Sequence, residues 1–278
     1  MSTGLERLQS HQIAAFIGGG NMGAALVRGL LANDMSPANI YVGEPATDLR
    51  ERLAAELGVH VSADNARAVD RADVVVVAVK PQDMGATLQP LGHVLQSKCP
   101  VVISVAAGIQ VADLSRWCGS RVPIIRAMPN RPALHGAGAT ALFAPVGTPP
   151  GARALAAAVA ASVGTYAWVE AEREMDAVTA LSGSGPAYFL LLTELMIDAA
   201  VELGLARATA HELALQTLFG TGQMARASDG DLARLRGAVT SKGGTTEAAL
   251  QSLESDDLRA IVRRALTAAA RRSQELAK

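Results

Sequence analysis

The stretch Ile17-Gly18-Gly19-Gly20-Asn21-Met22-Gly23 decides the fold of this chain. It follows the apolar run Ile13–Ile17, which predicts a buried strand, and it precedes the helical pattern Ala24–Ala32. Its glycines form GxGxxG: the first allows a tight turn, the second lets a pyrophosphate approach the backbone, and the third lets the helix pack closely on the strand. The motif therefore predicts a dinucleotide site; a glycine-rich turn without a ligand is the alternative.

The first part of the chain alternates strand and helix patterns. Helical patterns such as Leu49–Leu57, followed by Gly58, separate apolar, β-branched runs, and this alternation predicts a parallel sheet with helices on both faces. The further predicted strands are Ile40–Val42, Val74–Val79, Val101–Val105 and Ile124–Ala127, with shorter ones near Thr140–Phe143 and Tyr166–Val169. From about Ala171 the strand pattern ends, and the remainder predicts four or five helices.

One predicted helix, Pro186–Leu203, is apolar on most of its circumference. Ser182 and Ser184 precede Pro186, which suits the first turn of a helix. The helical region is too small to bury so much apolar surface alone, so we expect a second subunit to cover it. The predicted fold is an α/β Rossmann-type dinucleotide-binding domain over residues 1–170, followed by an all-α dimerisation domain over residues 171–278.

Composition excludes several other classes of protein. The 278 residues carry 25 basic and 26 acidic side chains, so the chain lacks the positive charge of a nucleic-acid-binding protein. Apolar stretches such as Tyr188–Met196 are too short or too interrupted to predict a membrane span. Two cysteines without CxxC spacing and five scattered histidines predict a reducing, cytoplasmic location and no metal site.

Two further features bear on ligands. Glu44 ends the second predicted strand, 21 positions after Gly23, where an acidic residue binds the ribose hydroxyls of NAD and disfavours NADP. A solvated glutamate is an equal alternative, and the nearby Arg50 and Arg52 leave the choice between NADH and NADPH open. The run Thr240–Glu247 contains consecutive glycines and threonines, which suit a small carboxylate. On the residues alone, an ordinary corner between helices, with threonine as a helix cap, is the better explanation of that composition.

The chain resembles the pyrroline-5-carboxylate reductase family through five motifs in the family order. They are FIGGGNMG (Phe16–Gly23), VKP with SVAAG (Val79–Pro81 and Ser104–Gly108), MPN (Met128–Asn130), LSGSGPAY (Leu181–Tyr188) and VTSKGGTT (Val239–Thr246). The chain departs from the family at Arg131, where threonine is common, and at Lys242, where proline is common.

The resemblance implies reduction of 1-pyrroline-5-carboxylate to L-proline by hydride transfer from NADPH or NADH, in a homo-oligomer that is at least a dimer. It places the active site between the cofactor and the VTSKGGTT loop, with the partner subunit contributing. The implied cofactor residues are Gly18, Gly20, Asn21, Met22, Gly23, Glu44, Asn65, Ala78, Val79, Lys80, Pro81, Ala106, Ala107 and Asn130. The implied substrate residues are Ser241, Gly243, Gly244, Thr245 and Thr246, with the Thr246 hydroxyl beside the ring nitrogen.

Two alternative functions stay open at this point. A hydroxyacid dehydrogenase of similar architecture must take a proton from an alcohol, and such enzymes typically have a lysine near the start of the long helix. Residues Leu181–Thr193 contain no lysine or histidine, which counts against this class. A sensor that binds NAD(P)H without turnover is the non-enzymatic alternative. The intact glycine pair and Thr246 count against it.

Overall fold

The computed structural model describes residues 7–228 and 230–276. Within them, eight strands form one sheet in the order β3-β2-β1-β4-β5-β6-β7-β8. The strands are β1 Ala14–Ile17, β2 Ile40–Gly43, β3 His60–Ser62, β4 Val74–Val77, β5 Val101–Ser104, β6 Ile124–Met128, β7 Gly138–Phe143 and β8 Gly164–Trp168.

Strands β1 to β6 run parallel, whereas β7 is antiparallel to β6 and parallel to β8. The order of the first six strands is that of the doubly wound dinucleotide-binding fold, whose ligand site lies where the strand order reverses, between β1 and β4. This confirms the predicted fold class. Strand β3 is not predicted from the sequence, because this short edge strand has no continuous apolar run.

The central strands are buried on both faces, as continuous β-branched runs predict. Ala14 and Phe16 of β1 pack into one core cluster and Ala15 and Ile17 into another, because successive side chains of a strand point to opposite faces. The sheet therefore has a separate apolar core on each side.

The helices have the following bounds. Those of the sheet-containing part are α1 Asn21–Ala32, α2 Thr47–Leu57, α3 Asn65–Val69, α4 Met84–Leu88, α5 Gly92–Lys98, α6 Val111–Cys118, α7 Pro150–Ala161 and α8 Glu174–Val178. They are followed by α9 Gly185–Glu202, α10 Arg207–Ala227, α11 Leu232–Ala238, α12 Thr245–Ser255 and α13 Leu258–Leu276. Gly58 ends α2 in the left-handed region at φ 65°, as predicted for its glycine.

The chain divides into two compact units. The first contains the sheet and comprises the segments up to Ser184 and from Ala269 onward, and the second is Gly185–Ala268. Within the first unit, Ser273 Oγ donates to Asp176 Oδ1 at 2.7 Å, so the end of α13 is attached to α8.

The long apolar helix α9 begins at Gly185, one residue before the predicted start at Pro186, but the sequence does not predict the helical segment that precedes it. Helix α8 continues through a π-helical segment, Thr179–Gly183, and the helical run extends over Glu174–Glu202. A proline at 186 cannot donate to the carbonyl of Ser182, four residues before it. Asn130 Nδ2 donates to that carbonyl instead, at 3.1 Å. A contact distant in sequence therefore satisfies the backbone acceptor that the proline leaves free.

Candidate functional site

Most of the predicted cofactor residues lie at one edge of the sheet. Ile17 is in register with Gly43 and with Val77, and Val77 with Ser104, so the carboxyl ends of β1, β2, β4 and β5 meet there. Asn65 begins α3 directly after β3, and Asn130 follows β6. This is the edge at which doubly wound folds bind their ligands.

The glycine turn between β1 and α1 has the geometry that its motif predicts. Gly18 has φ 97°, and a Cβ built on it would lie 2.9 Å from the carbonyl oxygen of Ala78. A Cβ on Gly23 would overlap the carbonyl oxygen of Gly18, so the start of α1 needs glycine to pack against the turn. In contrast, a Cβ on Gly20 would meet nothing within 4 Å. The turn is therefore closed on the protein side and open at Gly20, where a pyrophosphate would approach.

Helix α1 begins at Asn21 with Gly20 as its N-cap, and no side chain caps it. The first N–H groups of a helix have no partner within it and favour an anion. Met22 and Gly23 complete this first turn.

Glu44 is buried, with 7% of its surface exposed, rather than solvated. Its Oε2 accepts from the N–H of Gly19 at 2.8 Å, and its Oε1 accepts from the N–H of Ala46 at 2.9 Å. The carboxylate thus joins the glycine turn to the loop after β2. The sequence gives no direct indication of this contact, because Gly19 and Glu44 are 25 residues apart.

Asn65 carries an unsatisfied acceptor. Its Oδ1 is buried without a hydrogen-bond partner among the described residues. A Cβ on Gly43 would overlap this oxygen, so the glycine at the end of β2 makes room for the Asn65 side chain. An orphaned acceptor and an open glycine backbone at the same edge fit a dinucleotide, whose ribose supplies hydroxyl donors and whose pyrophosphate needs close backbone approach.

The remaining predicted cofactor residues follow β4 and β5. Ala78 donates its N–H to Ile17 at 2.8 Å, which holds it against the glycine turn. Val79 is half-buried, whereas Lys80 and Pro81 are exposed. Ala106 is buried and Ala107 half-buried in the loop after β5.

Asn130, predicted near the nicotinamide, is buried and uses both ends of its side-chain amide. Its Nδ2 donates to the Ser182 carbonyl, and its Oδ1 accepts from the N–H of Ala139 at 2.9 Å. It therefore links β6, β7 and the π-helical segment.

A partly buried ion pair in the same unit is not predicted from the sequence. Arg126 of β6 is 7% exposed, and its Nη1 lies 2.9 Å from Oε1 of Glu172. That oxygen also accepts from the N–H of Val111 at 2.7 Å, at the start of α6. The sequence indicates this ion pair only by placing an arginine inside a predicted strand, because a buried arginine needs a charged partner.

The VTSKGGTT loop lies in the second unit, between α11 and α12. Its two glycine amides are engaged within the loop: Gly243 donates to Glu247 Oε2 at 2.6 Å, and Gly244 donates to the Ser241 carbonyl at 3.0 Å. The amides of Thr245 and Thr246 open α12, and helix geometry leaves them without an intrahelical acceptor. An anion at this loop would therefore meet the threonine amides first.

Thr246 does not cap α12. The N-cap is Gly244, and no side chain makes a capping hydrogen bond. Within the described residues, the half-buried Thr246 hydroxyl makes no hydrogen bond, whereas the hydroxyl of Thr193 in α9 donates to a backbone carbonyl one turn earlier. The alternative role of Thr246 as a helix cap is thus wrong.

Helix α9 leaves a large apolar surface uncovered in the single chain. Phe189, Leu191, Leu192 and Leu195 are each more than half exposed, and only Gly185, Thr193 and Ile197 of the helix are buried. By length and composition alone, the run Glu174–Glu202 would pass for a membrane-spanning helix, with 22% of its most apolar window buried.

The buried cysteine and the possible metal ligands complete the description of the titratable groups. Burial raises the pKa of the Cys118 thiol to about 12, so it is not a thiolate at neutral pH. Among residues 7–228 and 230–276, no group of three or more His, Cys, Asp or Glu side chains is placed to hold a metal ion.

A doubly wound sheet, an open glycine turn and a separate helical unit define a dinucleotide-binding oxidoreductase fold. Two family models match the chain: residues 13–108 match the coenzyme F420-dependent NADP oxidoreductase family, and residues 172–276 match the pyrroline-5-carboxylate reductase dimerisation family.

Individual relatives match nearly the whole chain. A pyrroline-5-carboxylate reductase of Pseudomonas aeruginosa is 46% identical over 95% of this chain and 96% of its own length. The structure of a pyrroline-5-carboxylate reductase from Coxiella burnetii has a TM-score of 0.93 at 41% identity, covering 97% of this chain and 100% of that one. The Plasmodium falciparum enzyme, solved with NADP bound, has a TM-score of 0.84 at 30% identity, covering 98% and 100%. The chain belongs to the pyrroline-5-carboxylate reductase family.

Proposed function

We propose that this chain reduces 1-pyrroline-5-carboxylate to L-proline, the last step of proline biosynthesis, with hydride from NADPH or NADH. The observation that carries the proposal is the similarity to the Pseudomonas aeruginosa pyrroline-5-carboxylate reductase, which is 46% identical over 95% of this chain. The match therefore includes both units. The open glycine turn supports the cofactor part of the proposal independently. We further propose that the enzyme is cytoplasmic and acts without nucleic-acid or membrane partners.

Residues 1–170 would form the cofactor domain. The glycine turn and the N-terminus of α1 would hold the pyrophosphate, and Asn65 would accept from a ribose hydroxyl. The loops after β4 and β5 would line the cofactor. Asn130 would act near the nicotinamide by fixing the end of β6. The bound cofactor supplies the hydride, and the protein supplies its position.

Residues 171–278 would bind the substrate and form the dimer. The Thr245 and Thr246 amides at the start of α12 suit the substrate carboxylate, and Ser241, Gly243 and Gly244 would maintain the loop. A cyclic imine accepts hydride readily once its nitrogen is protonated, so a positioned hydroxyl can replace a strong base. Thr246 has such a hydroxyl, without a competing partner among the described residues. The exposed leucines of α9 would be covered by a second copy of the chain.

A spectrophotometric assay tests the proposed function. The purified oligomer is mixed with NADPH or NADH and 1-pyrroline-5-carboxylate, and the decay of the nicotinamide absorbance at about 340 nm is followed together with proline formation. We expect stoichiometric cofactor oxidation and proline formation. Cofactor binding without oxidation would instead support the sensor, and NAD(P)⁺ reduction with hydroxyacids would support the dehydrogenase.

A further inference from the structure

The loop after β2 contains two side chains of opposite charge where dinucleotide-binding folds distinguish NAD from NADP. An acidic residue there binds the ribose 2′-hydroxyl of NAD, whereas a nearby arginine accommodates the 2′-phosphate of NADP. This chain has Glu44 and Arg50 in that loop and the following helix turn. Their contacts distinguish the two roles.

The Glu44 carboxylate is turned toward the protein. Each of its oxygens accepts a backbone N–H, from Gly19 at 2.8 Å and from Ala46 at 2.9 Å, and the residue is buried. Moving it to a ribose would leave two backbone N–H groups without partners, which is unfavourable. Its position therefore fixes the glycine turn and keeps the negative charge within the loop.

The Arg50 guanidinium is held at the same loop by uncharged acceptors. Nη1 donates to the carbonyls of Glu44 at 2.9 Å and Pro45 at 3.1 Å, and Nη2 donates to Thr47 Oγ1 at 3.2 Å. No ion pair joins it to a carboxylate within residues 7–228 and 230–276, whereas Arg52 Nε lies 4.0 Å from Glu56 Oε1. A guanidinium has about five N–H donors, so Arg50 retains both its charge and free donors.

We propose that Arg50 binds the 2′-phosphate of NADPH, and that Glu44 is a positioning residue for the glycine turn that does not contact the ribose. This inference rests on the proposed function, because it requires that a nicotinamide dinucleotide binds at this edge of the sheet. The resulting enzyme prefers NADPH, which is opposite to the preference that Glu44 suggests from sequence alone. A charge-assisted contact between arginine and phosphate typically changes affinity by about 10- to 100-fold.

Equilibrium binding of cofactor fragments tests the assignment of Arg50 without any turnover. Calorimetry compares adenosine 2′,5′-bisphosphate with 5′-AMP, which lacks the 2′-phosphate, in the full-length protein. Arg50→Gln keeps an amide donor for the loop carbonyls but removes the charge. We expect it to weaken bisphosphate binding by about 10- to 100-fold and to leave AMP binding within about twofold. Arg52→Gln, the matched control, removes the same charge two residues further on and should change neither affinity.

A second variant tests the role of Glu44. Glu44→Gln keeps one acceptor oxygen but turns an NH₂ group toward a backbone N–H. The predicted result is a similar loss of affinity, by about 10-fold, for both fragments, together with a raised KM for NADPH and for NADH at unchanged kcat.

The opposing outcomes are distinct. Equal losses for both fragments in Arg50→Gln would show that Arg50 only closes the loop, and a changed ratio between the fragments in Glu44→Gln would show that Glu44 contacts the ribose. Either result overturns the proposal. Selective fragment binding without pyrroline-5-carboxylate reduction would instead refute the proposed function alone, so the two failures can be told apart.

Discussion

Substituting alanine at Gly20 and at Gly23 separates cofactor binding from folding, because the two glycines face different surroundings. At Gly20, a Cβ meets nothing within 4 Å, and the backbone angles, φ −63° and ψ −173°, are allowed for alanine. Alanine is a poorer N-cap than glycine, but it also lowers the entropy of the unfolded chain. These effects nearly cancel, so we expect the Tm of the Gly20→Ala apoprotein to change by less than about 2 °C.

At Gly23, the added methyl would overlap the carbonyl oxygen of Gly18 and lie 3.4 Å from Ala78 Cβ. The Gly18 oxygen is a backbone atom, and the Ala78 side chain consists of a single methyl group, so neither can rotate away from the added methyl. Because the overlap is with a backbone atom, the overpacking cost lies in the upper part of the usual range, at about 2–3 kcal/mol, and the helix propensity of alanine offsets about 1 kcal/mol of it. A net loss of about 1–2 kcal/mol lowers Tm by roughly 2–8 °C in a protein of this size.

The assay measures Tm at one protomer concentration, without and with NADPH, and the NADPH Kd by calorimetry. A ligand at about 100 times its Kd stabilises the folded state by about 2.7 kcal/mol, so the wild type should show a clear rise in Tm. In Gly20→Ala, the methyl occupies the approach of the pyrophosphate, and we expect Kd to rise by more than about 10-fold and the shift in Tm at the same NADPH concentration to fall to about half or less. Normal NADPH affinity in Gly20→Ala, or an unchanged Tm in Gly23→Ala, would refute this account of the turn.

Three further perturbations test other parts of the molecule. Thr246→Ala should lower kcat by about 10- to 1,000-fold with an unchanged Tm, and Thr246→Ser should restore much of it, because the hydroxyl does not cap α12 and on the proposed mechanism serves the reaction. Leu192→Glu, on the apolar surface of α9, should yield monomers by light scattering at micromolar concentration, whereas the control Val146→Glu, at a fully exposed loop position, should remain oligomeric. Glu172→Gln should lower Tm by several degrees in a thermal melt, because the buried Arg126 loses its charged partner; an unchanged Tm would contradict this.

The sequence predicted those parts of the fold whose determinants are local. Strand β4 is a run of four valines, and such a buried run identifies its strand without knowledge of its neighbours. The same holds for the glycine turn, because φ 97° at Gly18 and the tight packing at Gly23 are requirements of the turn itself.

The sequence predicts the start of α9 to within one residue, but it does not predict the π-helical segment before it, because the determinant of that segment is not local. Serines followed by a proline resemble the beginning of a helix, and the pattern gives no reason to continue the helix backward through Ser182. The side chain that makes this continuation possible is Asn130, 52 residues earlier, whose amide donates to the Ser182 carbonyl. The local signal therefore located α9, whereas the helical segment before it depends on a tertiary hydrogen bond that no periodicity in the sequence reveals.

Glu44 and Asn130 extend this argument from the fold to the site. The family resemblance implies that both contribute to cofactor binding, yet the polar atoms of both side chains are bonded to the protein's own backbone. A motif shows which residue type is needed at a position, but it does not show why. The same residue can be needed because its side chain holds a loop or because it contacts the ligand. The two roles differ in their partners: a contacting residue leaves an atom unsatisfied, as Asn65 Oδ1 is here, whereas a positioning residue has its polar atoms paired before any ligand arrives. By this criterion we propose Asn65 for direct contact with the ribose, and we propose that Glu44 and Asn130 act through the loops that their side chains hold.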